Sequence, residues 1–265
     1  MAINENTAAL LGLLACPSCS GELVSEFAEL RCTDCGRTFQ LHGRVPVLLH
    51  DSGTDGTASL LARLQYGILG NPKLYDFHQA HGGGRPIAAQ VAKALDGVGG
   101  ATLLDIGAGT GMVAGLISPE TRYVWLDNDR SKLRGLLSKA VDCYAVLGDA
   151  ARLPFRPGAA DWSVMVEVSH HLPDGALHAC LEEAARVTRD RFVFVDGLRG
   201  TRLRSRLLWQ LDLGRFPRGE DELVRALEGH FEFEKLERFR VNHDHLLAVC
   251  IPHRPQDAHG PGPAV

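Results

Sequence analysis

The chain has no excess of positive charge. Its 28 Lys and Arg against 32 Asp and Glu leave a net charge of −4 and a pI near 6.3. That balance excludes a general electrostatic pull toward nucleic acid or an anionic membrane, so any such binding must come from a local patch. No run of about 18 apolar residues occurs, which removes a transmembrane helix. The first residues, Met1-Ala2-Ile3-Asn4-Glu5-Asn6, lack the basic start and apolar core of a secretion signal. Together these absences predict a cytoplasmic protein. At 265 residues and 45% hydrophobic content, the chain can bury one large core plus a small additional module.

Four of the 7 cysteines fall in two C-x2-C pairs, Cys16/Cys19 and Cys32/Cys35. Each pair fits a tight turn that aims two thiolates at one point, and two such turns complete a tetrahedral site for zinc. Disulfides are the competing reading, which an intracellular setting opposes. With no further ligand nearby, the site reads as closed and structural. Cys143, Cys180 and Cys250 lie in apolar surroundings and read as inert core residues. Gly36 to Leu49 reads as strand, turn, strand, so residues 1–50 form a small β zinc ribbon. A polar, glycine-containing stretch and a helix follow over 51–72.

The chemistry concentrates in an ordered series further on. Leu103-Leu104-Asp105-Ile106-Gly107-Ala108-Gly109-Thr110-Gly111 reads as a buried strand breaking into a glycine turn that opens a helix. Alternate glycines let the backbone approach a ligand, and a helix N-terminus there would favour an anionic group. Tyr123 to Asp127 is an apolar run ending in an acid placed to accept from ribose hydroxyls, with Asn128 next to it. Val146-Leu147-Gly148-Asp149-Ala150 ends a third run, with Phe155 offering apolar surface to an adenine. A fourth run closes at Glu167, before Ser169-His170-His171. The turn is spaced G-x-G-x-G, unlike the G-x-G-x-x-G of many dinucleotide sites.

LLDIGAGTG, WLDND, GDAARLPF and DWSVMVEVSHHLPD, in this order, resemble a class I S-adenosylmethionine-dependent methyltransferase of the quinone-methyltransferase-like type, over roughly Tyr75 to Ile251. The resemblance implies an α/β, Rossmann-like doubly wound sheet, mostly parallel with an antiparallel last strand, over 73–251. It implies S-adenosylmethionine held by Asp105, Gly107, Ala108, Gly109 and Gly111 at its methionine end, Asp127 and Asn128 at the ribose, and Asp149 and Ala150 at the adenine. Tyr75 would help cap the cofactor and Glu167 would line its methionine side. His170 or His171, after the fourth strand, would be the base. The N-terminal module is similar to the zinc-ribbon family that activates certain tRNA and protein methyltransferases, whose members end in a strand comparable to Gly43-Arg44-Val45-Pro46-Val47-Leu48-Leu49.

Residues 198–218 read as a lid over the substrate, with Arg199, Arg202, Arg204, Arg206, Arg215 and Arg218 interleaved with apolar residues. Residues 252–265, rich in Pro, Gly and His, read as a disordered tail. The Asn/Asp-Pro-Pro-Tyr/Phe turn of many amino-group methyltransferases is missing, since the chain reads Glu167-Val168-Ser169-His170 there. The leading expectation is O- or C-methylation of a small aromatic, quinone-like or natural-product acceptor. RNA methylation, with the ribbon and arginines docking the RNA, stays open, as does a cofactor-binding adaptor without catalysis. Oligomeric state is left open.

Overall fold

The computed structural model describes residues 9–49, 84–137, 143–200, 215–241 and 243–254. Its spine is the parallel run β5 (Thr102–Ile106), β6 (Arg122–Asp127), β7 (Tyr144–Gly148), β8 (Ala160–Val166) and β9 (Thr188–Gly197). The antiparallel pair β10 (Phe231–Arg240) and β11 (Asp244–Pro252) closes one side, with β11 inserted against β9. β5 sits at the centre between β6 and β8, and every one of its residues is buried. That accounts for its unbroken Thr-Leu-Leu-Asp-Ile sequence, because a strand covered on both faces has no polar side to alternate with.

The strand period of two sends successive side chains to opposite faces. Leu103, Tyr123, Trp125, Val164, Val193 and Val195 join one core with Ile87 and Val91 of α1 (Gly84–Ala94) and Leu133 and Leu136 of α2 (Arg130–Leu137). Leu104, Val124, Leu126, Met165, Phe192 and Phe194 join another on the opposite face. Leu177, Leu181 and Ala184 of α3 (Asp174–Val187) and Leu223 and Leu227 of α4 (Glu220–Glu228) cover that second core. Two apolar layers with helices on each are the doubly wound arrangement expected from the sequence.

The N-terminal ribbon is part of the same sheet. β1 (Leu23–Glu26), β2 (Glu29–Cys32), β3 (Thr38–His42) and β4 (Val45–Leu48) run as antiparallel neighbours. β4 then pairs in parallel with β7, Val47 opposite Leu147 and Leu48 opposite Gly148, giving the order β1-β2-β3-β4-β7-β6-β5-β8-β9-β11-β10. The residues ahead of the ribbon dock on the segment after β7. Ala15 N–H donates to the Pro154 carbonyl at 3.0 Å, and Arg156 N–H donates to the Leu13 carbonyl at 2.9 Å. Phe155 is 1% exposed and bridges to Leu14. The expectation that Phe155 faces the adenine is therefore corrected: its ring fills the seam between ribbon and main sheet, and joins a core that also holds Leu10, Leu23 and Leu30.

Truncating Phe155 leaves a cavity in that seam. Phe155→Ala is expected to cost about 3–5 kcal/mol of folding free energy, read as a lower urea midpoint. An unchanged midpoint would show that the seam carries no stability.

Candidate functional site

The loop after β5 is built by left-handed backbone. Gly107, Gly109 and Gly111 have φ of 71°, 54° and 77°, which side-chain-bearing residues rarely adopt. The space is also closed: a Cβ on Gly107 would lie 2.7 Å from Val168 Cγ2, and one on Gly111 2.6 Å from Leu136 Cδ1. β6 holds the loop in place. The Gly107 and Ala108 amides donate to the Leu126 carbonyl, Trp125 Nε1 donates to the Gly109 carbonyl at 2.9 Å, and Gly109 N–H donates to Asp127 Oδ2 at 2.8 Å. One expectation fails here. The loop opens onto a single 3₁₀ turn, Val113–Gly115, and not a helix. Gly115 and Pro119 follow too soon for a longer helix, so no macrodipole of any size faces the loop.

Asp127 ends β6 as expected, and its other oxygen accepts from the Asp129 amide at 2.9 Å. Burial raises this carboxyl, while the Asp129 and Gly109 amides lower it. Each oxygen keeps acceptor capacity for a ligand hydroxyl. Asn128, beside it, is exposed. Asp105 is 2% exposed and accepts the Tyr123 hydroxyl at 2.5 Å. Burial pushes its carboxyl up to about 7, against the pull of the Tyr123 hydroxyl and with help from the Asp127 charge. Asp149 follows β7 directly and is half-buried, its Oδ1 accepting the Ala151 amide at 2.9 Å, with Ala150 half-buried next to it.

At the tips of β8 and β9 the structure adds a partner that the sequence reading passed over. His170 Nδ1 lies 2.6 Å from Asp196 Oδ1, and both side chains are almost fully buried. The same carboxylate accepts the Ser169 amide at 2.6 Å and the Gly197 amide at 2.8 Å. Burial alone would raise Asp196, but the charge and hydrogen bond of His170, with the Ser169 donor, hold it at about 2. His171 is exposed, its ring 4.2 Å from that of His170. Glu167 adopts φ of 58°, a strained setting for a non-glycine residue. Its Oε1 lies 3.5 Å from Nε2 of His245, which burial lowers to about 4. His243, two residues before His245, stacks on it at 4.6 Å.

The ribbon brings its four cysteines together as the spacing predicts. Cys16 Sγ lies 3.7 Å from Cys35 Sγ, Cys19 Sγ lies 3.5 Å from Cys32 Sγ, and all four sulfurs fall within 4.8 Å of one another. A tetrahedron with metal–sulfur bonds near 2.3 Å has edges of about 3.8 Å, so the set fits zinc. None of the 7 cysteines forms a disulfide. Burial raises the Cys180 and Cys250 thiols to about 12, in keeping with inert core positions.

The arginines expected over the substrate need revision where they can be seen. Arg218 is buried, donating to the Ser169 and Leu172 carbonyls and to the Asp174 carboxylate at 2.7 Å, 2.6 Å and 2.7 Å. It is a clamp on the turn that carries the histidines, with no guanidinium edge left for an anionic ligand. Arg199 pairs with Glu222 at 2.9 Å, and Arg215 is exposed. Arg202, Arg204 and Arg206, Tyr75, the linker 51–72 and residues 255–265 lie outside the described residues. The start of the expected disordered tail is corrected: Pro252 ends β11, and the His253 amide donates to the His230 carbonyl at 3.0 Å. Among the described residues no helix is long and apolar enough to cross a membrane.

Two outcomes follow from these groups. Folding moves the Asp105 carboxyl from its ordinary value near 3.8 to about 7, so the folded state takes up a proton between those values and loses stability as pH rises through that window. Asp105→Asn is expected to match the parent near pH 4 and to exceed it by on the order of 2–4 kcal/mol at pH 8. Equal urea midpoints at pH 8 would contradict a raised carboxyl. Removing metal from the cysteine site with a chelator is expected to lower Tm and loosen the ribbon, and unchanged melting would contradict a structural metal.

A family model described as a methyltransferase domain matches residues 103–191. No curated protein matches the chain significantly. Among solved structures, the mitomycin 7-O-methyltransferase MmcR superposes with a TM-score of 0.55 at 25% identity, covering 70% of this chain and 60% of that one. A chain from the complex between the Haloferax volcanii Trm112 methyltransferase activator and a methyltransferase gives 0.54 at 17% identity, covering 68% and 98%. The pyocyanin biosynthetic protein PhzM gives 0.50 at 21% identity, covering 63% and 54%. The chain thus spans little more than half the length of PhzM and MmcR. Residues 103–191, running from the central strand into β9, are thus similar to a methyltransferase domain, and the sheet that holds them has an α/β, Rossmann-like fold.

Proposed function

We propose that the chain transfers a methyl group from S-adenosylmethionine to an oxygen or carbon of a small-molecule acceptor, with His170 as the base. The observation that carries this reading is the buried His170–Asp196 pair, set at strand tips beside the glycine loop. Val168, two residues before His170, packs on Gly107, so the pair and the loop share one end of the sheet.

S-adenosylmethionine supplies an activated methyl, and the residues around it have only to bind, align and manage one proton. The glycine loop would take the methionine end, with Asp105 toward its ammonium. An approaching cation would draw off the proton that burial keeps on that carboxyl. Asp127 and Asn128 would take the ribose, Asp149 and Ala150 the adenine, and Glu167 the methionine side. Asp196 can only accept, so it keeps the His170 proton on Nδ1 and leaves Nε2 as the basic nitrogen. A carboxylate held at about 2 stays charged and stabilises the imidazolium that forms when Nε2 accepts the acceptor's proton. His171 would line the same turn on its exposed side.

A small acceptor fits better than RNA, because Arg218 and Arg199 are already engaged within the chain. The zinc ribbon has a structural task in covering the β7 edge, whatever else it contacts. Zinc on the four cysteines would secure that cover.

The first experiment is calorimetric titration with S-adenosylmethionine, followed by turnover against a panel of phenols and quinols. Asp127→Ala is expected to weaken cofactor binding at least tenfold. His170→Ala and Asp196→Asn are each expected to lower kcat by about 10²–10⁴ while leaving cofactor affinity unchanged. Full turnover in both would remove His170 from the chemistry. Absence of cofactor binding by folded parent protein would remove the function itself.

A further inference from the structure

We propose that Glu167, His243 and His245 form a second metal site, for a divalent transition ion such as zinc, with a coordination position open to an outside ligand. The three residues come from two places in the sheet: Glu167 directly after β8, His243 and His245 at the entry to β11. One ligand atom from each lies within 4.8 Å of the others.

The decisive detail is the orientation of His245. Its Nδ1 lies 3.0 Å from the His243 carbonyl, which can only accept, so the ring proton sits on Nδ1 and Nε2 carries a lone pair. That Nε2 is buried, has no hydrogen-bond partner, and faces Glu167 Oε1 at 3.5 Å. Two acceptors pointed at each other inside a protein are unfavourable unless a positive charge lies between them. The separation exceeds the 2.7–3.2 Å of an ordinary N···O hydrogen bond. It matches the edge of about 3.4 Å that two ligands span on a tetrahedral zinc at about 2.1 Å. A ring proton committed to a backbone carbonyl is also the usual way in which a ligating histidine is held. Phe239 backs the His245 ring at 5.0 Å, and the His243 ring stacks on its other face at 4.6 Å with planes 16° apart, so His243 has to turn out of that stack for its lone pair to meet the ion that His245 holds.

Two histidines and one carboxylate make a set of the kind that leaves a position for water or substrate, whereas the four ribbon cysteines close theirs. Glu167 also lies within ligand reach of His170 and Asp196, so an ion held here would border the proposed base. An oxygen acceptor seated on the ion would lose its proton more readily. That last consequence rests on the methyl-transfer reading; the metal site does not.

The test uses full-length protein carrying one zinc per chain on the cysteines, titrated with Co²⁺. The expected result is a second equivalent with visible d–d bands and no sulfur-to-cobalt charge transfer. Glu167→Gln, His243→Ala and His245→Ala are each expected to weaken that equivalent at least tenfold, with the ribbon zinc retained. His178→Ala, an exposed histidine elsewhere, is expected to leave it intact. Glu167→Gln keeps side-chain shape, so it decides the matter if a histidine variant does not fold. The proposal is overturned if no second equivalent binds, if cobalt enters only the cysteine site, or if Glu167→Gln binds as the parent does. None of these readouts involves methyl transfer, so failure here leaves the proposed function to be judged on its own.

Discussion

The Asp196 carboxylate accepts from three donors, the Ser169 and Gly197 amides and His170 Nδ1, at a depth where an uncompensated charge would be prohibitive. This contact sets the turn after β8 against the end of β9. Arg218 then clamps that turn from its other side through the Ser169 and Leu172 carbonyls. Val168, held by the same turn, closes on Gly107 and so defines how near the glycine loop can come. Through these contacts the turn, the histidine and the loop wall share one reference point.

Most of the frame could be read from residues alone. Unbroken apolar runs ending in an acid marked β5, β6 and β7, and the cysteine spacing marked the ribbon, because each of those patterns has one dominant physical cause. Asp196 escaped although it also closes an apolar run, Phe192 to Val195. Its partner lies 26 residues upstream, and pairing across adjacent strand tips leaves no spacing signature. The short turn after the glycine loop has no mark in the glycines themselves, because Gly115 and Pro119, further along, are what stop a longer helix.

The arginines illustrate a different limit. Charge density along a segment is visible in sequence, but whether a guanidinium faces solvent is decided by carbonyls that converge from elsewhere. Arg218 meets carbonyls from positions 169, 172 and 216, none of which a linear reading connects to it. Likewise His243 and His245 are two residues apart in the sequence, yet only the fold brings Glu167 to them.

The pairing of β4 with β7 has a consequence for the order in which the chain is made. Val47 leaves the ribosome a hundred residues before Leu147, the residue it pairs with. Until then the ribbon lacks both the β7 edge and the Phe155 seam, and a metal on its four cysteines would be what holds so small a core. If the ribbon has formed by then, β7 would meet a strand already extended and tethered to the same chain. Closing that long loop onto a prepared edge costs less entropy than ordering both strands at once. The module at the N-terminus would then offer the nascent sheet a ready edge, made before the strand that pairs with it.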